Sequence, residues 1–226
     1  MEDFRMKYRP QTIDEIWGNE HIKKIWSGFV ARNKFPRSII LHGNYGTGKT
    51  TMGRIMMRDI VIKKSPPSWI PVFMDMNEID ATRYSYETLV RRADHYFSSL
   101  GHPSAMFIDE AHRFPERCQE VFLKPIESEY YPHFIFATPY LDKIDDGIQS
   151  RSTILCLKHP EKVILVEKLT EVVKEENINI SSEAISLLIE RAGYNPRKCL
   201  GYLNTLLAYN EKIDIEIVKN VVEIAS

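Results

Sequence analysis

Only three of the 226 residues are cysteine. Cys118, Cys156 and Cys199 lie far apart with no C-x-x-C pair, which argues against a cysteine zinc site and leaves no disulfide framework. No run approaches the roughly 18 consecutive apolar residues that a spanning helix needs. The charged opening Met1-Glu2-Asp3-Phe4-Arg5 has no apolar stretch behind it, so a secretory leader is not expected. These absences point to a reducing compartment, the cytoplasm, with no membrane partner. An excess of one charge is missing too: 30 Lys and Arg face 31 Asp and Glu, a formal net charge of −1. Any contact with nucleic acid must then come from a local basic surface. The pairs Lys23-Lys24, Lys63-Lys64 and Arg91-Arg92 are of the kind that usually marks a solvated face. Repeats, low-complexity tracts and Gly/Ser linkers are lacking. What is present is 43% hydrophobic and 27% charged residues, an ordinary globular composition sufficient for one sizeable core and a small second domain.

Short apolar runs recur with helical stretches between them: Ile39-Ile40-Leu41, Val72-Phe73-Met74, Ala105 to Ile108, Phe134 to Ala137 and Ile154 to Leu157. Continuous apolar strands alternating with helices predict an α/β domain, a parallel sheet covered on both faces. Thr12 and Glu15 have the spacing of a capping box, which predicts a first helix running amphipathically from Ile16 to Val30. After about residue 158 the strand pattern stops. His159-Pro160 opens a helix, Ser181 and Ser182 offer N-caps for the next, and Asn195-Pro196 supplies a cap followed by proline at the first helical position. Leu200, Leu203, Leu206 and Leu207 continue at helical spacing, and a last helix is expected over Ile213 to Ile224. The expected division is an α/β domain over 1–157 and a small all-α lid over 158–226.

Gly43-Asn44-Tyr45-Gly46-Thr47-Gly48-Lys49-Thr50 matches G-x-x-x-x-G-K-[ST] in full, between a strand and a helix. Glycines let such a loop wrap a polyphosphate with its backbone N–H groups, and the following helix N-terminus adds partial positive charge. Lys49 is suited to the β- and γ-phosphates of ATP and the Thr50 hydroxyl to Mg²⁺, with Thr51 beside it. The run Ala105 to Ile108 ends in Asp109-Glu110, so that Asp109 is placed to hold the Mg²⁺ shell and Glu110 to polarise the attacking water. Asp109-Glu110-Ala111-His112 also spells a helicase box, but 226 residues leave no room for a second motor domain.

With these residues in view the chain resembles the AAA+ and lid domains of a clamp-loader ATPase subunit over nearly its whole length. The resemblance implies a P-loop NTPase of AAA+ type. Lys7-Tyr8-Arg9-Pro10 and Ile16-Trp17-Gly18-Asn19-Glu20 are similar to the family's opening segment, which implies an adenine pocket lined by Tyr8, Arg9, Pro10, Ile16 and Trp17; Asn19 stands where glutamine is usual. Phe136-Ala137-Thr138 resembles the strand ending in sensor 1, which implies that Thr138 watches the γ-phosphate. Ser150-Arg151-Ser152 resembles the Ser-Arg-Cys motif, whose arginine reaches a neighbouring subunit's ATP. Gly193-Tyr194-Asn195-Pro196-Arg197 resembles sensor 2, placing Arg197 on the γ-phosphate in cis. Asn77 resembles a residue that restrains the catalytic glutamate.

Three departures accompany the resemblance. Pro125 falls where the family's helix is unbroken, re-aiming the surface near Glu127 and Glu129. Asn44-Tyr45 replace prolines of the phosphate loop, and the sequence reaches Ser226 where such proteins continue into a helical collar. The implied partners are other AAA+ subunits, a sliding clamp and primer-template DNA, with Arg83, Arg91 and Arg92 as candidate phosphate contacts. Two further readings stay open at this stage. One is another AAA+ DNA motor or regulator, acting in branch migration, helicase loading or transposition. The other is a nucleotide-switched scaffold with little hydrolysis.

Overall fold

The computed structural model describes residues 3–64, 72–75, 105–128, 132–209 and 212–224, and Asn77, Arg83, Arg91, Arg92 and Glu129 lie outside them. The chain divides into two compact units, Glu20–Leu157 and a second made of Met1–Asn19 with Lys158–Ser226. The first nineteen residues, expected with the α/β domain, therefore pack with the C-terminal helices.

In the first unit, β1 (Ser38–His42), β2 (Val72–Asp75), β3 (Ala105–Asp109), β4 (His133–Thr138) and β5 (Thr153–Cys156) form one sheet in the order β2-β3-β4-β1-β5. Every pairing is parallel. The three central strands are buried nearly throughout, as a sheet covered on both faces requires. On one face Ile40, Met106, Ile108, Phe134 and Phe136 join Phe114, Phe122, Ile144 and Ile148 in a single core. Phe122 sits at its centre, edge-on to Phe114, Phe134 and Phe136 with ring centroids 5.3 to 5.8 Å apart. On the other face lies α3 (Lys49–Lys64). A Cβ added at Gly53 would come within 2.4 Å of the Phe107 ring, so the helix approaches β3 as closely as glycine permits. Before the sheet runs α2 (Glu20–Arg32), whose Trp26 is fully buried and donates its indole N–H to Asp59 at 2.8 Å.

The start of α2 differs from the expected one. Gly18 and Asn19 have φ of +71° and +58°, and two successive left-handed residues cannot lie inside a right-handed helix. The helix begins after them, at Glu20. Glu15 caps the backbone N–H of Gln11 at 2.7 Å instead of that of Thr12. Pro125 breaks the segment after β3 as its chemistry dictates. Without an N–H, and with its ring against the carbonyl four residues back, proline forbids a continuous helix through Val121. The chain runs as α4 (Glu116–Gln119), a 3₁₀ turn Glu120–Phe122, and α5 (Leu123–Glu127).

In the second unit, the short α1 (Phe4–Lys7) joins α7 (Lys162–Glu175), α8 (Ser182–Arg191), α9 (Pro196–Leu206) and α10 (Ile215–Ile224). Ser181 caps α8 by accepting from Ala184 N–H, and Asn195 caps α9 by accepting from Lys198 N–H with Pro196 following. Phe4 is buried among Leu165, Leu169, Leu188, Leu203 and their neighbours. Its N–H donates to Asn204 Oδ1 at 3.2 Å. Asn19 fastens the end of the opening segment, donating from Nδ2 to Lys158 O at 3.0 Å and accepting Lys158 N–H at 2.9 Å. Cys199 is fully buried in this core, and burial pushes its thiol up to about 12, so it packs as an apolar side chain.

Candidate nucleotide site

The carboxyl ends of adjacent parallel strands are where α/β sheets place ligands. Here the ends of β1, β4 and β3 lie side by side, with His42 opposite Thr138 and Ile108 opposite Phe136. Beyond them come, respectively, the loop Gly43 to Gly48, the turn after Thr138, and the pair Asp109-Glu110.

The loop takes a conformation that its glycines make possible. Gly43, Gly46 and Gly48 have φ of +144°, +78° and +94°. At Gly43 a Cβ would stand 2.2 Å from Leu157 O, so both the backbone angle and the space demand glycine. Thr47 closes the loop on itself, donating its hydroxyl to Asn44 O at 2.8 Å. Lys49, only 6% exposed, donates from Nζ to Gly43 O at 2.7 Å and Asn44 O at 2.9 Å. Burial lowers its pKa, while Glu110 and Asp109 act in the opposite sense and favour the charged ammonium. An amine held by two loop carbonyls, with two carboxylates favouring its charged form, is placed to exchange those carbonyls for phosphate oxygens.

Asp109 ends β3 at 4% exposure. One of its carboxylate oxygens accepts the N–H of Glu110 at 3.1 Å. Glu110 has φ +51°, an uncommon angle for a non-glycine residue, and it starts the 3₁₀ turn Ala111–Arg113. Thr50 lies in the first turn of α3. A hydroxyl and a carboxylate form a hard oxygen donor set, which suits Mg²⁺. Among the described residues no group of three or more His, Cys, Asp or Glu could hold a metal unaided.

Around this centre the structure brings together Tyr45 and His112, which the motifs contain, with Tyr140, which no motif singled out. Tyr45 of the loop and Tyr140 meet edge-on at 6.3 Å, and His112 meets Tyr140 edge-on at 5.1 Å. Lys49 Nζ lies 5.6 Å from the Tyr45 ring centre. Tyr140 raises the pKa of Tyr45 by hydrogen bonding to its hydroxyl. Alternation and spacing along the chain carry no signal for a cluster drawn from three separate loops.

Thr138 ends β4, fully buried. Its hydroxyl donates to Tyr140 O and accepts Tyr140 N–H, both at 3.0 Å, so its only proton serves the turn that carries Tyr140. Arg151, which follows α6 (Asp146–Ser150), is exposed and pairs through Nε with Glu127 at 2.5 Å. Ser152, in the place of the family's cysteine, donates to Ile148 O at 2.7 Å and therefore receives the Ser38 hydroxyl proton at 2.6 Å.

The remaining expected site residues belong to the helical unit. Tyr8 and Trp17 pack against its core, and the Tyr8 hydroxyl donates to Glu176. Burial and that carboxylate push the Tyr8 phenol far above its ordinary range. Ile16 is buried, Arg9 and Pro10 are half-buried, and Arg197 is exposed in the first turn of α9.

Comparison with known proteins agrees with this geometry. Residues 39–160 match the family described as ATPase family associated with various cellular activities (AAA). The chain is 28% identical to the Replication factor C small subunit of Archaeoglobus fulgidus over 96% of its own length and 69% of that protein's. It is 28% identical to the corresponding protein of Thermoplasma volcanium, over 93% and 66%. It is also 28% identical to DNA polymerase III subunit gamma/tau of Mycoplasma genitalium, over 97% of this chain and 40% of that one. It thus spans about two thirds of the replication factor C subunits and less than half of gamma/tau. The fold is that of Thermotoga maritima RuvB, a Holliday junction branch migration motor, with a TM-score of 0.74 at 22% identity, covering 98% of this chain and 73% of that one. The loop, the acidic pair at the end of β3 and the family match, which covers more than half of the sequence, together make this chain a member of the AAA family of P-loop ATPases.

Proposed function

We propose that this chain is an ATP-hydrolysing subunit of a clamp-loader-type assembly that places a sliding clamp on primed DNA. The observation that carries the catalytic part is the buried Lys49, held by Gly43 O and Asn44 O, whose charged form the nearby Asp109 and Glu110 favour. The resemblance to replication factor C small subunits and gamma/tau over most of the chain supports the rest.

In this reading the loop N–H groups and Lys49 take the β- and γ-phosphates. Thr50 and Asp109 hold Mg²⁺, which when bound neutralises charge developing on the phosphates. Glu110 takes a proton from the attacking water. Thr138 acts by fixing the turn of Tyr140, and Arg197 and the segment around Tyr8 and Trp17 respond to the nucleotide as parts of the helical unit. Replacing Lys49 by Ala should weaken ATP binding itself, measured by titration with a fluorescent nucleotide; unchanged affinity would remove Lys49 from the phosphate site.

Arg151 supplies its guanidinium to a neighbouring subunit's ATP. Its pair with Glu127 is solvent-exposed, with side chains 39% and 59% accessible, and such pairs are worth less than about 1 kcal/mol. The arginine can therefore leave it. In the assembled state Arg151→Ala should lower turnover about a thousandfold, the scale of an arginine finger, with ATP affinity little changed. Full turnover by an assembled variant would refute the trans role. The clamp-loading reading is tested by pull-down of a sliding clamp with ATP and primed DNA. Recovery of DNA-stimulated turnover with no clamp bound would favour a DNA motor of another kind.

A further inference from the structure

Near the nucleotide site, His112 Nδ1 is buried and has no hydrogen-bond partner among the described residues. It faces Glu110 Oε2 at 3.6 Å, where the two side chains are 9% and 16% accessible. That separation is within ion-pair reach but too long for a hydrogen bond. Nor is it an ion pair. Burial first, and then the cations Arg113, Lys143 and Lys49, lower the His112 pKa, which favours the neutral ring. A neutral imidazole carries one proton. On Nε2, it would leave the Nδ1 lone pair pointing at a carboxylate, which is repulsive; on Nδ1, it makes that nitrogen a donor aimed at Oε2.

A second contact holds the ring in place. Tyr140 lies edge-on to it at 5.1 Å, and Thr138 fixes the Tyr140 turn through both of its hydroxyl hydrogen bonds. Gln119, 3% exposed, ties the two loops together. It donates to Phe114 O at 3.1 Å on the His112 side and to Lys143 O at 2.9 Å on the Tyr140 side, and it accepts Asp145 N–H at 2.8 Å. Glu110 itself starts its turn in the left-handed region, a strained backbone of the kind that clusters at functional sites.

We propose that His112 is a positioning residue for Glu110: its Nδ1–H holds Oε2 of the carboxylate and leaves the other oxygen to meet the attacking water. The inference rests on the reading of Glu110 as general base. A small side-chain rotation closes 3.6 Å to a hydrogen bond, and this contact tightens when nucleotide orders the site.

The first test needs no turnover. In protein labelled with ¹⁵N-histidine, with the His112 resonance assigned by its loss in His112→Asn, the neutral ring should be in the Nδ1–H form. It should shift toward Nε2–H in Glu110→Ala. An Nε2–H ring in the wild type would overturn the proposal. The second test is kinetic. Asparagine places an amide N–H where Nδ1 stands, and glutamine places one where Nε2 stands. His112→Asn should keep kcat within about threefold, whereas His112→Gln and His112→Phe should lower it by roughly ten- to a hundredfold with KM unchanged, the scale of a misplaced catalytic group. Equal kcat in the Asn and Gln variants, or wild-type kcat in the Phe variant, would count against the positioning role. If Glu110→Gln is inactive while His112→Phe is wild-type, His112 alone is misassigned. If Glu110→Gln turns over normally, the base itself is.

Discussion

Glu110→Gln should abolish steady-state ATP turnover, by about a hundredfold to ten-thousandfold, while leaving ATP bound. The amide keeps the size and one acceptor oxygen of the carboxylate but cannot take a proton from water, and a general base contributes an effect of that order. Binding should survive because the groups placed for phosphate are elsewhere: the loop from Gly43 to Gly48, and Lys49, which donates to Gly43 O and Asn44 O. The substitution also removes one of the two acids that favour the charged form of Lys49. Burial remains the larger influence there and opposes the charge, so affinity should fall slightly at high pH, where the ammonium is lost first. Single-turnover hydrolysis alongside nucleotide retention on the protein separates the two effects. Loss of binding together with turnover would place Glu110 in the phosphate site and not in the base role.

Gly43→Ala should be the most damaging single methyl in the phosphate loop. Its φ of +144° is reached by side-chain-bearing residues only under strain, and the added Cβ would stand 2.2 Å from the carbonyl oxygen of Leu157. That oxygen belongs to backbone whose N–H donates to His42 O at 2.7 Å, so neither partner can yield without loosening the edge between β1 and β5. The expected cost is about 2–4 kcal/mol, a fall in melting midpoint of roughly 5–15 °C, together with loss of ATP binding. Gly28→Ala is the matched control. It lies inside α2 with only the tip of Arg32 at 3.7 Å, an ordinary contact, so alanine there should stabilise by roughly 0.5–1 kcal/mol. Calorimetry of the two variants makes the comparison; equal stability of Gly43→Ala and wild type would mean that the loop does not hold this conformation.

The parts of this structure that were readable in the sequence are those set by local chemistry. Five apolar runs became five parallel strands, and in the three central ones the reason is direct: a strand buried on both faces must be apolar at nearly every position, as Ile39 to Leu41 and Phe134 to Ala137 show. Ser181 and Asn195 announced helices because a side-chain oxygen next to free N–H groups acts over three residues. The start of α2 was not readable, since Gly18-Asn19 satisfy helical periodicity while their backbone turns left-handed. Nor was the affiliation of the first nineteen residues, which depends on Phe4 with Asn204 and Tyr8 with Glu176, contacts between positions more than 160 residues apart. Motif spacing located Lys49, Asp109 and Glu110 at strand ends. It named His112 only as the end of a helicase-like box and was silent on Tyr140; the two become neighbours because β3 and β4 pair in register and Gln119 bridges the loops that follow them.

The most direct measurement is steady-state ATP hydrolysis by the purified chain with Mg²⁺, alone and with primed DNA, with the mass in solution recorded under each condition. The expected result is turnover that rises with primed DNA in an oligomer and disappears in Glu110→Gln. Turnover that is the same in Glu110→Gln, or ATP held without hydrolysis in an oligomer bound to primed DNA, would contradict a DNA-stimulated ATPase built on this site.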